Sequence, residues 1–405
     1  MYSVGIDISK GKSTICIINE IGEIILSPRE YRHNKEELDE LINEIKKIKS
    51  KDIKIIMEAT GIYHHPVLYY LRHKGYFCSA INPLKMKKYI NNLSFRGVKT
   101  DLKDSLSIAQ YGIDNWHHLD ESKQIIEDTY DSMKRLSRQY LTKTKIKVSQ
   151  TLDLDHQIDQ CTPGIKDVFN GYSIATNTDR LSDFLESFWH YDLINRHTYS
   201  VFEKKIHKWA KKKGYRIPAD KPTKVYNLAR NNIPTVAPDE VTKNLMILTI
   251  TNLKTTNDVL YKIITQLKQL AITLPEYETV RNMSGVGDIL AALLIAEIGD
   301  IRRFHSADAL VAFSGIDVPP YESGQYIATQ RHITKKGSSR LRKLLYQVTT
   351  SLVMKPPNTD KAVYDFIMKK KSEGKRHKTA LVAGMNKFLR IYYARVKEVY
   401  KPLEN

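Results

Sequence analysis

The segment at residues 4–10, VGIDISK, most constrains the fold, because it places an acidic residue inside an apolar, β-branched run. Two further strand-like runs follow at residues 13–18 and 23–26, separated by glycine-containing turns. This spacing predicts a three-stranded antiparallel meander at the start of the chain. Aspartate is a poor strand former, so Asp7 breaks a local rule, and such exceptions concentrate at functional sites. The alternative is an Asp7 side chain on the solvent face or at an edge of the sheet.

The rest of residues 1–118 alternates between helix-like and strand-like patterns. Apolar residues at helical spacing predict helices, and short apolar runs bounded by turn residues predict buried strands. In chain order, the predicted elements are a helix at 34–48, a strand at 53–57, a helix at 65–74, a strand at 76–81, a lysine-rich helix after residue 83 and a helix from 100 to about 111. We therefore expect an α/β domain built on a mixed sheet.

Three more acidic residues accompany these predicted elements. Glu58 comes directly after the central strand, and Asp101 and Asp104 are three residues apart on one helix, so both lie on the same face. With Asp7 they form a set of four carboxylates that can meet at one edge of the sheet, where their repulsion requires a divalent cation. Oxygen ligands favour Mg²⁺ or Mn²⁺, and such ions support displacement at phosphorus. The alternative is that Asp101 and Asp104 only cap the helix.

The charge of the chain points to a polyanionic partner. The chain has 405 residues, a formal net charge of +19 and a pI of about 9.5. Such a basic surface makes nucleic acid the first candidate, and the alternative is a basic protein without such a partner. The length predicts two or three domains, and the 41% hydrophobic content excludes a disordered chain.

The three cysteines are far apart and form no CxxC pair, which argues against a disulfide framework and a zinc site. A secretory signal peptide is not expected, because Asp7 interrupts the first apolar run. A membrane span is not expected either, because the longest apolar run, at residues 289–298, is too short and contains Glu297. We expect a cytoplasmic, nucleoid-associated protein with no membrane partner.

Residues 119–274 are predicted to form a helical middle segment. A long polar helix over about 120–160 carries apolar residues in imperfect heptads, which indicates a helical arm or coiled-coil linker. Further along, six lysines lie within residues 204–213. Among them, Lys208 and Lys212 are candidate contacts to nucleic-acid phosphates, and a solvated helix face is the alternative.

Residues 275–405 are predicted to form a mostly α-helical C-terminal domain. Its first part, residues 278–299, places a Gly-Val-Gly turn between two helices and has a helix-hairpin-helix-like pattern. In such a motif, Gly285 and Gly287 let backbone N–H groups approach a DNA phosphate. A tight turn inside a helical core is the alternative.

Three motifs of the first domain resemble those of the DEDD transposases, an insertion-sequence family that includes the Piv invertase. They are GIDISK at 5–10, MEATGIY at 57–63 and KTDLKD at 99–104. The resemblance implies a RuvC-like, ribonuclease-H-like fold for this domain. It also implies a catalytic, metal-binding tetrad at Asp7, Glu58, Asp101 and Asp104. Lys99, in the matching lead-in to the third acid, is a candidate nucleic-acid contact.

A second set of motifs extends the resemblance to the C-terminal domain. They are AFSGI at 312–316, VP at 318–319, YESG at 321–324, ITKKGS at 333–338 and a helix over 340–352. In this family the serine of the Ser-Gly step is the nucleophile, which implies Ser323, with Ser314 as its rival. An ordinary turn is the alternative for the Ser-Gly step. The candidate phosphate contacts around the serine are Arg331, Lys335, Lys336 and Arg340.

The residues and the resemblance predict a DNA transposase or recombinase that cuts and rejoins DNA through a covalent serine–DNA intermediate. The resemblance also implies a structured guide RNA, the bridge RNA, and a homodimer or homotetramer on DNA. Three alternatives are open: a hydrolytic nuclease such as a junction resolvase, a non-catalytic nucleic-acid-binding protein, and a sugar-kinase-like ATPase. The last is the weakest, because GIDIS opens that fold but no glycine-rich phosphate loop follows it.

Overall fold

The computed structural model describes residues 1–93, 101–119, 128–319, 322–323, 326–327 and 332–403. The chain divides into two compact units, Met1–Ile126 and Glu127–Asn405. The first unit corresponds to the predicted α/β domain. The second unit contains residues 127–274 of the predicted helical middle segment and the predicted C-terminal domain.

The first unit is built on a five-stranded mixed sheet. Its elements in chain order are β1 (Tyr2–Ile8), β2 (Lys12–Asn19), β3 (Ile24–Arg32), α1 (Lys35–Lys47), β4 (Ile53–Glu58), α2 (His65–His73), β5 (Cys78–Ile81), α3 (Pro83–Leu93) and α4 (Asp101–Asp114). The strand order is β3-β2-β1-β4-β5, in which β1, β2 and β3 are antiparallel neighbours and β4 and β5 continue in parallel from β1. This arrangement confirms the predicted meander and the predicted mixed sheet.

Helices pack on both faces of this sheet. Successive side chains of a strand point to opposite sides, so the apolar residues of one strand can contact helices on both faces. On one face, Val4 of β1 belongs to a buried cluster with Leu41 of α1 and Leu71 of α2. On the other face, a smaller cluster joins Ile56 of β4 to Ile108 of α4. The central strands are therefore covered on both sides, as a sheet with parallel strands requires.

The second unit is almost entirely α-helical among its described residues. Its helices are α5 (Asp128–Cys161), α6 (Arg180–Ser187), α7 (Tyr191–Asn195), α8 (Tyr199–Lys213), α9 (Lys221–Asn231), α10 (Glu240–Ile272), α11 (Tyr277–Arg281), α12 (Asp288–Ile298), α13 (Ala307–Ser314), α14 (Ser339–Met354), α15 (Ala362–Ser372) and α16 (His377–Tyr400). Two short hairpins accompany them, β6 (Tyr172–Ser173) with β7 (Thr178–Asp179) and β8 (Glu322–Ser323) with β9 (Tyr326–Ile327).

The two long helices of this unit, α5 and α10, lie antiparallel. Met133 near the start of α5 is buried in the same cluster as Leu267 near the end of α10. Leu154 near the end of α5 shares a second cluster with Met246 near the start of α10. The two helices therefore connect two hydrophobic cores, one completed by α6–α9 and the other by α11–α16.

The core completed by α11–α16 is centred on α12, in which all residues from 291 to 298 are buried. Glu297 is the charged residue of that stretch and is 3% exposed. None of the helices in the described ranges combines the length and the apolar character needed to cross a membrane.

Candidate active site

Asp7 and Glu58 lie next to each other on the two central parallel strands. β1 and β4 pair in parallel with Ile6 opposite Met57, so the two acids occupy the next position of the same register. Both side chains are partly exposed. Glu58 is the last residue of β4, so the pair lies at the carboxyl end of the sheet, where open α/β sheets bind their ligands.

Two glycines show how closely α4 packs against the sheet. A Cβ atom on Gly5 would lie 2.2 Å from the carbonyl oxygen of Ser105, and one on Gly112 would lie 2.1 Å from Oγ of Ser3. α4 therefore runs antiparallel to β1, and its first turn lies toward the Asp7 end of the strand. Gly5 was not among the residues predicted to matter, although a glycine inside a predicted strand signals a close backbone approach.

The start of α4 brings Asp104 toward Glu58. Asp104 lies one helical turn before Ile108, which is buried in a cluster with Ile56 of β4. Glu58 is two residues beyond Ile56 and so faces the same side of the sheet. Because α4 runs antiparallel to these strands, the row of α4 side chains that begins at Asp104 points toward the end of β4. Asp101 is the first residue of α4, but its side chain lies outside the described residues, as does Lys99.

The carboxylates at this end of the sheet match the ligand chemistry of Mg²⁺ or Mn²⁺, which prefer oxygen donors. Among the described side chains, however, no three His, Cys, Asp or Glu residues are close enough together to hold an ion. The structure thus brings Asp7, Glu58 and Asp104 to one end of the sheet without completing a ligand sphere from the side chains it describes.

The predicted serine nucleophile lies in the β8–β9 hairpin of the second unit. Ser323 pairs with Tyr326 and closes the hairpin on the β8 side. Its side chain, Gly324 and Arg331 lie outside the described residues. Ser314, the rival candidate, is completely buried at the end of α13, and its hydroxyl donates to the carbonyl oxygen of Val311 at 2.6 Å. A hydroxyl in that position has no access to a DNA phosphate.

Three of the predicted phosphate contacts around Ser323 have side chains that the structure describes, and all three are exposed. Lys335, Lys336 and Arg340 precede or begin α14, and none of them forms an ion pair within the ranges that the structure describes. Their positive charges therefore face solvent, where they can meet the phosphates of a nucleic acid.

α8 presents a concentrated positive face. Phe202, Ile206 and Trp209 fix the helix on its core side, and the opposite side exposes five lysines. These are Lys204, Lys205, Lys208, Lys211 and Lys212. None of them pairs with a carboxylate of the described chain, whereas Lys213 binds Asp183 at 2.9 Å. We call these five residues the α8 lysine face. It contains both predicted contacts, Lys208 and Lys212.

The two glycines of the hairpin between α11 and α12 have different surroundings. Gly285 has a φ of +79°, and a Cβ atom on it would lie 2.7 Å from Cγ of Leu352 and 3.0 Å from the carbonyl oxygen of Val348. Gly287 is exposed at the start of α12, and nothing lies within 4 Å of its Cβ position. Close packing against α14 thus accounts for Gly285, and Gly287 is the more exposed of the two glycines.

A carboxylate already lies in the first turn of α12. Asp288 accepts hydrogen bonds from Lys268 at 2.8 Å and from Arg281 at 2.6 Å, and these bonds hold its pKa below the usual range. The negative charge of Asp288 complements the helix dipole at the place where the predicted motif would receive a phosphate. The hairpin is therefore a weaker candidate for phosphate binding than the α8 lysine face.

Comparison with known proteins identifies relatives that match part of the chain. The chain is 26% identical over 121 residues to the insertion element IS116 uncharacterized 44.8 kDa protein of Streptomyces clavuligerus, and 30% identical over 128 residues to the insertion element IS900 uncharacterized 42 kDa protein of Mycobacterium paratuberculosis. It is also 28% identical over 153 residues to the pilin gene-inverting protein of Moraxella bovis. These matches cover 30%, 31% and 36% of this chain. The chain spans 29%, 31% and 46% of these relatives' own lengths, which is less than half of each.

Two family models match the chain. One, described as a transposase of the DEDD type of IS110 elements, matches residues 4–163, and the other, described as the transposase IS116/IS110/IS902 family, matches residues 277–365. The first match includes the four acidic candidates, and the second includes the β8–β9 hairpin. The chain belongs to the IS116/IS110/IS902 family of transposases.

Proposed function

We propose that the protein is a DNA transposase and recombinase that cuts and rejoins the DNA of an insertion sequence. The observation that carries the proposal is that Asp7 and Glu58 each lie one position beyond the last paired residues of β1 and β4, Ile6 and Met57, at the end of the sheet where α4 begins. The family supports it, and so does the relative whose name describes the inversion of a pilin gene, because inversion requires DNA to be both cut and rejoined.

In this proposal, Asp7, Glu58, Asp101 and Asp104 hold Mg²⁺, or Mn²⁺, in a RuvC-like domain. The chemistry that such an ion would supply there is Lewis-acid stabilisation of the negative charge on the scissile phosphodiester. Asp7 and Glu58 contribute carboxylates from rigid strands, and the N-terminal turn of α4 contributes the other two. Ligands on strands and helices keep their geometry better than ligands on loops.

Ser323 supplies the nucleophile. Its Oγ attacks phosphorus, one P–O bond to a deoxyribose breaks, and the released sugar oxygen takes up a proton. The resulting phosphoserine ester keeps one phosphoester bond for each bond broken, so the hydroxyl of another strand can reverse the step without ATP. The buried, hydrogen-bonded Ser314 supports the choice of Ser323. Lys335, Lys336, Arg340 and Arg331 balance the charge of the phosphate.

The nucleic-acid partners include the ends of the element, the target DNA and a structured guide RNA. The α8 lysine face supports a backbone contact that does not depend on sequence, because it offers exposed ammonium groups without carboxylate partners. Lys99 and the exposed Gly287 are further contacts in this proposal. The enzyme works in the cytoplasm, on the nucleoid, as a homodimer or homotetramer, because both ends of an element must be held together.

Trapping of a covalent protein–DNA adduct tests the proposal. Purified protein, Mg²⁺, end-sequence DNA and the flanking RNA are combined for the wild type, Ser323→Ala and Asp104→Asn. An adduct that forms with the wild type and is lost in both variants is expected. Cleavage that survives Ser323→Ala but needs Asp104 would establish a hydrolytic nuclease instead. DNA binding without any cleavage by the wild type would establish a non-catalytic binding protein.

A further inference from the structure

The segment that contains Ser323 leaves and re-enters the helical core at one narrow place. We call this place the loop base, formed by residues 313–317, which include the end of α13 and the residues after it, and by residues 334–338, which precede α14. Three backbone hydrogen bonds join its two sides: Ser338 N–H to Phe313 O at 2.8 Å, Lys335 N–H to Gly315 O at 3.0 Å and Thr334 N–H to Asp317 O at 3.0 Å. The Thr334 hydroxyl also donates to Oδ1 of Asp317 at 2.6 Å. The two ends of the segment are therefore held together along several residues.

Two glycines let the sides of the loop base approach each other more closely than side chains allow. A Cβ atom on Gly337 would lie 2.4 Å from both the Gly315 nitrogen and the Phe313 oxygen. A Cβ atom on Gly315 would lie 2.7 Å from the Gly337 nitrogen, and Gly315 also has a φ of +69°. Both contacts are with backbone atoms, which cannot rotate away. Only glycine therefore fits at positions 315 and 337, where the two sides of the loop base meet.

Arg342 bridges the two sides of the loop base from the first turn of α14. Its Nη1 donates to the Ser314 carbonyl at 2.9 Å and to the Gly337 carbonyl at 3.0 Å, and these two carbonyls belong to opposite sides of the loop base. Arg342 is half-buried and forms no ion pair with a carboxylate of the described chain. Its permanent charge therefore strengthens hydrogen bonds to two backbone carbonyls.

We propose that Arg342 is a positioning residue that holds the loop base closed and thereby fixes the place at which the β8–β9 hairpin presents Ser323 to the scissile phosphodiester. This inference rests on the proposed function, in which Ser323 is the nucleophile. A nucleophile on a segment gains reactivity when both ends of the segment are fixed, because attack on phosphorus requires an aligned approach at short distance. Arg342 acts through the backbone of Ser314 and Gly337 and takes no part in the chemistry.

The test compares Arg342→Met, which keeps the length of the side chain but removes its donors, with Arg342→Lys, which keeps the charge and one donor group. The measurements are the single-turnover rate of adduct formation at saturating DNA, the DNA dissociation constant and the melting temperature. We expect Arg342→Met to slow adduct formation by about 100-fold, the loss that a small displacement of a reacting group causes, with unchanged DNA affinity. Arg342→Lys should recover part of the rate.

Lys343→Met is the matched control, because Lys343 is exposed on the same helix and its loss removes the same charge. It should leave the rate unchanged. A second variant, Thr334→Val, removes the hydroxyl bond to Asp317 with little change in shape, and it should slow adduct formation less than Arg342→Met does. Thr334→Val and Arg342→Lys decide the question if Arg342→Met fails to fold.

The outcomes separate this inference from the proposed function. If Ser323→Ala is inert while the Arg342 and Thr334 variants react at the wild-type rate, the positioning role is refuted and the proposed function stands. If Ser323→Ala still forms the adduct, the proposed function fails, and the positioning role fails with it. A slower rate that is accompanied by an equal loss of DNA affinity would make Arg342 a DNA contact and would also refute the positioning role.

Discussion

Asp7 and Glu58 occupy equivalent positions on neighbouring parallel strands, one step beyond the Ile6–Met57 pair. Two carboxylates so placed repel each other unless positive charge lies near them. The same face of the sheet is crossed by α4, whose N-terminal turn carries the positive end of the helix dipole and two further aspartates. The pair therefore lies where the sheet and the helix converge.

The first prediction concerns Asp7. Asp7→Asn keeps the shape of the side chain but removes a proposed metal ligand, so Mg²⁺-dependent adduct formation should fall by at least about 100-fold, since even outer-shell partners of metal ligands cost about 10–100-fold. The melting temperature, measured alongside, shows whether the variant is still folded. Asp52→Asn is the control, because Asp52 is an exposed acid just before the opposite end of β4. An Asp7→Asn protein with wild-type activity would remove Asp7 from the proposed site.

The second prediction concerns Gly5. Gly5→Ala places a methyl group 2.2 Å from the Ser105 oxygen and 2.3 Å from the Ala109 nitrogen, so α4 must move away from β1. Overpacking of this kind costs about 1–3 kcal/mol of unfolding free energy. Denaturant unfolding should show that loss, whereas Gly171→Ala, which has open space at its Cβ position, should stay within about 0.5 kcal/mol of the wild type. Equal stability of Gly5→Ala and wild type would contradict the close crossing.

The third prediction concerns the α8 lysine face. The double variant Lys208→Gln and Lys212→Gln should weaken nucleic-acid binding and flatten its salt dependence, by about 0.9 in the log–log slope for each lost phosphate contact on duplex DNA and about 0.7 on a single strand. Binding is measured over a series of salt concentrations, with DNA and with the flanking RNA in separate titrations.

The double variant Lys46→Gln and Lys51→Gln is the control for this measurement. It removes two exposed positive charges from the first unit and should leave the slope unchanged. A larger effect on RNA than on DNA would assign the α8 lysine face to the guide RNA. An unchanged slope with both nucleic acids would show that the face is only solvated.

The fourth prediction concerns acid stability. Arg395 donates two hydrogen bonds to Asp360, at 2.8 and 2.7 Å, and these bonds lower the pKa of the carboxyl group. Because the folded pKa is below the unfolded value of about 3.9, the stabilisation is present above that pH and is lost as the pH falls through the folded pKa.

Asp360→Asn should therefore lose about 1.5–3 kcal/mol of unfolding free energy at neutral pH, which is the range for hydrogen bonds to a charged group. Its unfolding free energy should also decrease less than that of the wild type as the pH is lowered. Denaturant unfolding between neutral and acidic pH measures both effects. Asp365→Asn is the control, because Asp365 is exposed in the first turn of α15 and forms no ion pair with the described residues. If the unfolding free energy of Asp360→Asn depended on acidic pH in the same way as that of the wild type, the role of the Arg395–Asp360 ion pair would be contradicted.

Much of the first unit could be predicted because its signals are local. Alternation of apolar residues predicts strands, and the turns between β1, β2 and β3 are too short for anything except antiparallel neighbours. Asp7 was recognisable as a candidate because an acid inside such a strand conflicts with its surroundings. A glycine inside a predicted strand signals a close backbone approach at Gly5, but the partner Ser105 could not be identified, because it is a hundred residues away in the chain.

The second unit was less predictable, because its decisive contacts join distant segments. The sequence presents Ser314 and Ser323 in similar settings, each followed by glycine. The tertiary structure buries Ser314 against the core, since α13 must place that face inward to cover α16. The bridge from Arg342 to the carbonyls of Ser314 and Gly337 is equally invisible in the sequence, where arginine on a helix is indistinguishable from a solvated residue.

The sequence alone determined the element types, the mixed sheet, the basic character and the identity of the acidic candidates, because near neighbours and composition encode these properties. Only the tertiary structure decided that Asp7 and Glu58 follow directly on a paired position of neighbouring strands, that α4 packs closely against Gly5, and that Arg342 bonds to both sides of the loop base. Those properties depend on packing between segments far apart in the chain. Close packing forms only in the complete fold, so no local sequence pattern specifies it.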